Sequence, residues 1–492
     1  MSIPYTVRTQ AFIDGQFVDA ENGAAFENLN PATGQLLNRV AACSERDVDR
    51  AVQSARKAFQ SGVWSRMEPR ERKRILRRFS DLIEANGAEI ALLDSVDAGK
   101  PISDCQNIDV PDVVNNIRWY AEAIDKVFGK VAPTGQDKLG LVVREAVGVI
   151  GLVLPWNFPA GTLSWKISPA LAAGNSIVVK PAELAPLSTL RIAELAVDAG
   201  IPPGVFNVVP GLGHVAGKAL GLHPDVDVIS FTGSTEVGRH FLRYAADSNL
   251  KKVVLECGGK SPQIVMADAA DRLEAIADNL AGAAFWNMGQ NCTCGSRILV
   301  QSSIRDQFIG QLAKAARQWT VGQPGDPESR LGPLIEASAL TRVLSAIDQA
   351  KKDGASVVSG GKQVMKDTGG WFVEPTIIAN VDPSSAIAQD EVFGPVVAII
   401  SFDTEEDAIR IANESSYGLA ATLFTNDVNV AVRVARRIQA GTVAVNGYGE
   451  GDITTPFGGY KTSGFGGCDK GVEAFDQYTQ LKTIYISLDL NS

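Results

Sequence analysis

Val149-Ile150-Gly151-Leu152-Val153-Leu154 is an unbroken apolar run that stops at Pro155, and four more such runs follow at Ser176 to Val179, Val205 to Val209, Val226 to Phe231 and Lys252 to Leu255. The segments between them have the length and pattern of helices of about a dozen residues. Short buried runs alternating with helices predict parallel strands covered on both faces, as in a doubly wound α/β sheet. Ligands on such a sheet bind at the carboxyl ends of its strands. Just past those ends stand Trp156-Asn157-Phe158, Lys180-Pro181-Ala182-Glu183, the turn Gly233-Ser234-Thr235-Glu236-Val237-Gly238, and Glu256-Cys257-Gly258. After Ser261 a second cycle of the same kind runs through Val357-Val358, Ile377-Ile378, Val396 to Ile400, Leu419 to Phe424 and Thr442 to Val445. The expected fold class is therefore α/β, with two parallel-sheet domains.

Bulk properties agree with a globular chain. At 492 residues it is too long for one ordinary core. Its 45% hydrophobic and 21% charged residues are ordinary for a folded protein. A formal net charge of -10 excludes a general nucleic-acid or membrane-surface binder. No apolar segment reaches membrane-spanning length, and Met1 to Gln10 lacks a basic start followed by an apolar block, so a cytoplasmic location is expected. Six cysteines in so long a chain do not form a disulfide framework, and none of the three histidines has metal-ligand spacing to Cys292 and Cys294, so no metal is expected. Toward the N-terminus, Phe12-Ile13-Asp14-Gly15 predicts a hairpin, and Ser44-Glu45-Arg46-Asp47 opens a capped helix. Glu68 to Ala85 predicts a second helix with Ile75, Leu76, Phe79 and Leu82 on its apolar face, which leaves the charged run Arg70 to Arg74 in solvent.

The chemistry centres on Phe285-Trp286-Asn287-Met288-Gly289-Gln290-Asn291-Cys292-Thr293-Cys294-Gly295-Ser296-Arg297. A thiol in a Gly-rich polar turn after a small apolar run is expected to be exposed. It does nucleophilic work only as thiolate, and it then needs a base, an oxyanion donor and an electron acceptor. Glu256 supplies a carboxylate, Asn157 an amide, and Gly233 to Gly238 a strand-to-helix turn. Glycines there let the backbone approach a pyrophosphate, and the free amides of the helix start, with Ser234, favour its charge. This is less than a full G-x-G-x-x-G fingerprint. A carboxylate such as Glu183 at a strand end can accept from a ribose diol and would repel a 2'-phosphate. A surface Lys180 and Glu183 is the plainer alternative.

In order and spacing these motifs, covering nearly the whole chain, resemble the NAD(P)-dependent aldehyde dehydrogenase superfamily. The resemblance implies a cofactor domain from residues 1-127 and 147-258, a catalytic domain from 259-465, and an oligomerisation arm from 128-146 and 466-492. It implies Cys292 as nucleophile, Glu256 as base for water, Asn157 in the oxyanion hole, and Lys166 as a proton relay. It further implies cofactor contacts at Trp156, Lys180, Glu183, Gly233, Ser234, Gly238, Gly258, Glu391 and Phe393, with NAD favoured over NADP. Substrate contacts are expected at Phe158, Trp165, Phe457 and Asp452. Relatives commonly have Arg-Glu where this chain has Gly467-Cys468, and the implied assembly is a homodimer or homotetramer. Asn116 to Lys126, Glu450-Gly451-Asp452 and the ending Leu481 to Leu488 look most like members that act on amino-, guanidino- or gamma-glutamylamino-aldehydes. An aromatic or other semialdehyde is the runner-up. Glu256 argues against a CoA-acylating relative, and a silent scaffold with this fold is the alternative of another class.

Overall fold

The computed structural model describes residues 3 to 490; the outermost residues of the expected cofactor domain and C-terminal segment, Met1, Ser2, Asn491 and Ser492, lie outside it. The first sheet has eight strands, in the spatial order Gln16–Val18, Ala11–Ile13, Phe206–Val208, Ser176–Lys180, Val149–Val153, Val228–Thr232, Lys252–Glu256 and Gly464–Phe465. The five from Phe206–Val208 to Lys252–Glu256 run parallel. Val149–Val153 shows why its run is apolar throughout. Ile150 and Leu152 join one core, and Val149 and Val153 join the core on the opposite face.

The second sheet runs Ser356–Ser359, Thr376–Ala379, Val396–Phe402, Arg297–Gln301, Pro262–Val265, Ala420–Phe424 and Thr442–Val445. All its pairings are parallel except that of Ser356–Ser359, an antiparallel edge. A third sheet sets Lys138–Ala146 between Lys130–Ala132 and Thr479–Ser487, so the arm expected from the sequence pairs with the C-terminal strand. Gly464–Phe465 departs from the expected division. It lies antiparallel to Leu255 and Glu256, within the first sheet.

One of the two expected N-terminal helices differs in detail from its sequence pattern, and the other follows it. In helix Pro69–Ala85, Leu82 packs partly buried against the core with Ile75, Leu76 and Phe79, Ile83 is fully buried beside it, and Arg72 turns inward. Its guanidinium donates to the carbonyls of Ala172 at 3.1 Å and Trp64 at 3.2 Å, so this one member of the charged run is structural. Helix Glu45–Ser61 starts in a reciprocal capping box between Ser44 and Asp47. Among the described residues no helix is long and apolar enough to cross a membrane.

Candidate active site

A cavity of about 680 Å³ lies where the carboxyl ends of the first sheet meet the second domain. Between Val149–Val153 and Val228–Thr232 the strand order reverses, and a doubly wound sheet opens a crevice at such a point. Asn157 follows the former strand and Gly233 the latter, and both line the cavity. The opposite wall comes from segments that precede strands of the second sheet, with Cys292 ahead of Arg297–Gln301 and Glu391 ahead of Val396–Phe402.

Cys292 is half-buried at this wall, a correction to its expected exposure. The loop before it is held in the left-handed region at Asn287 (φ 52°), Met288 (φ 57°) and Gly289 (φ 63°). A Cβ at Gly289 would lie 2.2 Å from the Gly394 carbonyl, so the loop passes too close to its neighbour for any side chain. Burial, then the carboxylates of Glu450, Glu391 and Glu256, push the thiol well above its ordinary pKa. The Asn157 side-chain amide donates to the Gln290 carbonyl at 2.9 Å, beside Cys292. An amide has two N–H donors, and the second is available to the cavity that Asn157 lines. Asn287 and Lys100 hold Asn157 in turn, donating to its carbonyl at 3.1 and 3.4 Å.

Glu256 is 3% exposed, and among the described residues neither carboxylate oxygen has a hydrogen-bond partner. Desolvation raises its pKa well above the ordinary carboxyl value, Asp469 adds to the rise, and Lys166 opposes it. The Asp469 amide donates to the Phe457 carbonyl at 2.7 Å. This is a protonatable carboxyl facing the thiol's cavity.

The remaining expected residues divide into those on the wall and those behind it. Trp156, Phe158, Trp165, Gly233, Ser234 and Gly258 line the cavity, as do Glu391, Phe393 and Phe457. Gly258 cannot be larger, because a Cβ there would sit 2.1 Å from Glu391 Oε2. Glu391 Oε1 accepts from the Gly259 amide at 2.9 Å, and burial raises this carboxyl to about 7. Phe393 meets Trp156 edge-on at 5.4 Å. Lys180 and Glu183 pair at 2.6 Å at the end of the neighbouring strand, outside this cavity's lining. Burial opposes the charge on Glu183, but Lys180 outweighs it and holds the carboxyl below its ordinary value.

Three expected residues lie off the cavity wall. Gly238 is off the wall and lets helix Thr235–Ala246 pack on Cys257 and Leu255, where a Cβ would meet atoms at 3.2 and 3.3 Å. Asp452 sits on an exposed turn outside the cavity, its carboxylate accepting from the Thr454 amide at 3.0 Å. Lys166 is fully buried behind the wall, paired with Asp469 at 2.9 Å and with Ser230 Oγ at 3.0 Å. Its reach toward the cavity is electrostatic, through Glu256. Cys257 and Cys294 are buried free thiols within the packing, as expected.

Glu450, from the Glu450-Gly451-Asp452 segment noted in the sequence, and residues missed there complete the walls. Asp112 accepts from Trp165 Nε1 at 2.8 Å, and Trp286 packs on Phe158 at 5.3 Å. Glu450 Oε1 lies 2.5 Å from the Thr293 hydroxyl. Lys470 and the Lys100–Asp109 pair (2.6 Å) are also in this region. For Lys470 the available signal was the charged pair Asp469-Lys470, just past the Gly-rich stretch Gly464-Phe465-Gly466-Gly467.

The sequence profile described as the aldehyde dehydrogenase family matches residues 17–484. This chain belongs to that family. The aminoacetaldehyde dehydrogenase of Pseudomonas aeruginosa is 52% identical to this aldehyde dehydrogenase over 477 residues, covering 97% of this chain and 95% of that protein. A structure of P. syringae indole-3-acetaldehyde dehydrogenase in complex with NAD+ and IAA superposes with a TM-score of 0.97 at 49% identity, over 99% of this chain and 98% of the other. The gamma-glutamyl-gamma-aminobutyraldehyde dehydrogenase of Burkholderia cenocepacia gives 0.96 at 49% identity, over the same shares. The family assignment and the α/β fold expected from the sequence are thus shown.

Proposed function

We propose that this aldehyde dehydrogenase oxidises aldehydes bearing an amino or gamma-glutamylamino group to the corresponding carboxylic acids. The observation that carries the substrate class is the presence of two carboxylates, Asp112 and Glu450, beside the rings of Trp165, Phe158, Trp286 and Phe457 in the cavity wall. Each has one oxygen engaged by a neighbour, Trp165 or Thr293, and one left to meet a distal ammonium. The aminoacetaldehyde and gamma-glutamyl-gamma-aminobutyraldehyde dehydrogenases among its relatives support this class.

The geometry supports a two-stage mechanism. Cys292 adds as thiolate to the aldehyde carbon, and the oxyanion is met by the Asn157 amide and the Cys292 backbone amide. Collapse of the thiohemiacetal releases hydride and leaves a thioester on Cys292. Glu256, its charge disfavoured by burial, takes a proton from water, which attacks the thioester and frees the acid and the thiol. Lys166 with Asp469 tunes the proton affinity of Glu256.

The cofactor contacts fit a dinucleotide. Glu391 Oε2 lies beside Gly258, where only hydrogen leaves room, and helix Thr235–Ala246 begins at Ser234, which lines the cavity. When bound, NAD supplies the hydride acceptor. Glu391 and Phe393 would hold its nicotinamide end, Gly233 and Ser234 its phosphates, and Lys180 with Glu183 its adenosine ribose. The ionised Glu183 favours NAD over NADP, and the P. syringae complex with NAD+ supports the choice.

An aromatic aldehyde is the second reading. The rings of Phe158, Trp165, Trp286 and Phe457 favour it, as does the P. syringae indole-3-acetaldehyde dehydrogenase. NADH formation from 4-aminobutanal, indole-3-acetaldehyde and butanal, each with NAD and NADP, tests both. Highest kcat/KM for the aminoaldehyde with NAD is expected; highest for the indole sinks the aminoaldehyde reading. Iodoacetamide labelling of Cys292 without turnover of any aldehyde would favour the silent scaffold. The exposed apolar residues of strand Thr479–Ser487, Leu481 and Tyr485 among them, support self-assembly as a dimer or tetramer. A cytoplasmic compartment is supported by the six free cysteines.

A further inference from the structure

Asn291 and Glu450 both line the cavity, while the side chains that join them, Thr293 and Tyr448, stand behind its wall. The Glu450 carboxylate accepts from the Thr293 hydroxyl at 2.5 Å, that hydroxyl lies 2.7 Å from the Tyr448 hydroxyl, and Asn291 Nδ2 lies 2.9 Å from the Tyr448 oxygen. A carboxylate can only accept, and a hydroxyl has one proton. Thr293 gives its proton to Glu450 and so accepts from Tyr448. Tyr448, its own proton engaged, accepts from Asn291. The chain therefore has one direction, and it turns the nitrogen end of the Asn291 amide toward Tyr448. The oxygen end is fixed separately, because Oδ1 accepts from the Thr293 backbone amide at 3.2 Å. The Thr293 hydroxyl also lies 3.1 Å from Oδ1, but the charged and shorter partner is Glu450.

The oxygen so fixed faces the nucleophile. Cys292 Sγ lies 3.8 Å from Asn291 Oδ1, within reach of a weak S–H donor. The cavity thus holds two asparagine amides used at opposite ends: Asn157 works through its N–H, and Asn291 shows Cys292 its oxygen. An acceptor in that place favours the thiol, which has a proton to give, and disfavours the thiolate, which has none. Asn291 is 2% exposed and Thr293 fully buried, so water does not take their place. The titratable groups that act on the same sulfur are Glu450, beyond strand Thr442–Val445, Glu391, ahead of Val396–Phe402, and Glu256, at the end of Lys252–Glu256. We propose that Asn291 is a positioning residue that holds Cys292 through the thiol proton, with its amide fixed by Tyr448, Thr293 and Glu450. The nucleophile rests held and protonated, and an ionised sulfur loses this partner. This rests on Cys292 as the nucleophile of the proposed reaction and adds what holds it before attack.

Tyr448→Phe and Thr293→Val each break the chain without removing a charge, so they separate its hydrogen bonds from the Coulomb effect of Glu450. Ionisation of Cys292 is followed by its thiolate absorbance in the far ultraviolet from neutral to alkaline pH, each variant against the same variant carrying Cys292→Ala, and beside it by the rate of iodoacetamide labelling. Both variants should ionise at lower pH than the wild type and label about two- to tenfold faster near pH 8, the usual contribution of one hydrogen bond. Asn291→Ala should do the same, and Thr293→Ser, which keeps the hydroxyl, should keep the wild-type curve. Simple loosening of the loop would speed labelling and leave the absorbance curve in place; that result overturns the proposal, as does a curve unmoved or moved to higher pH in Asn291→Ala. Tyr448→Phe that still displaces the curve in an Asn291→Ala background overturns the route through Asn291. If Cys292→Ala oxidises aldehydes at the wild-type rate, the nucleophile reading alone falls, and the absorbance curves still decide whether Asn291 holds the thiol.

Discussion

Glu256 and Cys292 both carry a cost of burial, and the two costs act at different stages. For Cys292, desolvation and then the neighbouring carboxylates keep the thiol protonated at neutral pH, with Glu450 the foremost of the three acids. Removing that negative charge lowers the thiol pKa. Glu450→Gln should therefore speed iodoacetamide labelling of Cys292 a few-fold near pH 8, whereas an unchanged or slower rate would contradict this electrostatic reading. For Glu256, the raised pKa means that the carboxylate needed to activate water is gained only as pH rises. The rate of thioester hydrolysis in single-turnover experiments should climb with pH from the acid side through neutrality. A flat profile would show that another group takes the proton. Asn157→Ala should lower kcat by about 10²–10³-fold, the usual loss of one oxyanion donor, with a smaller effect on substrate binding.

Helix Pro159–Ala173 joins the site to the C-terminal segment through the Lys166–Asp469 pair, which is 0% and 1% exposed. Deleting one partner strands a buried charge, so Lys166→Met should cost roughly 3–5 kcal/mol, and Lys166→Met with Asp469→Leu should recover most of it. Thermal denaturation of the single and double variants checks this. The parallel strands of this scaffold were legible because strands buried on both faces are apolar throughout, and the capping box was legible because it is local. Other features had no local signal. Gly464–Phe465 is too short for periodicity, and the deeper burial of Ile83 beside Leu82 depends on the exact phase of packing against other helices. The inward turn of Arg72 is dictated by carbonyls at Trp64 and Ala172 that only the tertiary fold brings together.

Across the whole molecule, the cavity is made by two sheets that face it with opposite ends, and this explains which site residues could be read in advance. Asn157 and Gly233 follow strands of the first sheet and Glu256 ends one, so a general rule about strand ends found them. Asp112, Trp286, Glu450 and Lys470 come from remote segments, and no local pattern states that their side chains meet. The third sheet leaves Val131, Leu481 and Tyr485 more than half exposed, at 69%, 57% and 60%. Light scattering should accordingly give a mass of two or four chains, and removal of residues 479–492 should abolish that assembly; a monomeric full chain would contradict it. The central claim is that Cys292 forms a thioester that only Glu256-activated water releases. Its most direct test is rapid mixing of the Glu256→Gln variant with NAD and an aminoaldehyde, following NADH. The account predicts a burst of one NADH per active site and then a stall, with the acyl group on Cys292 by intact mass. Sustained turnover at the wild-type rate, or a burst in Cys292→Ala, would contradict it.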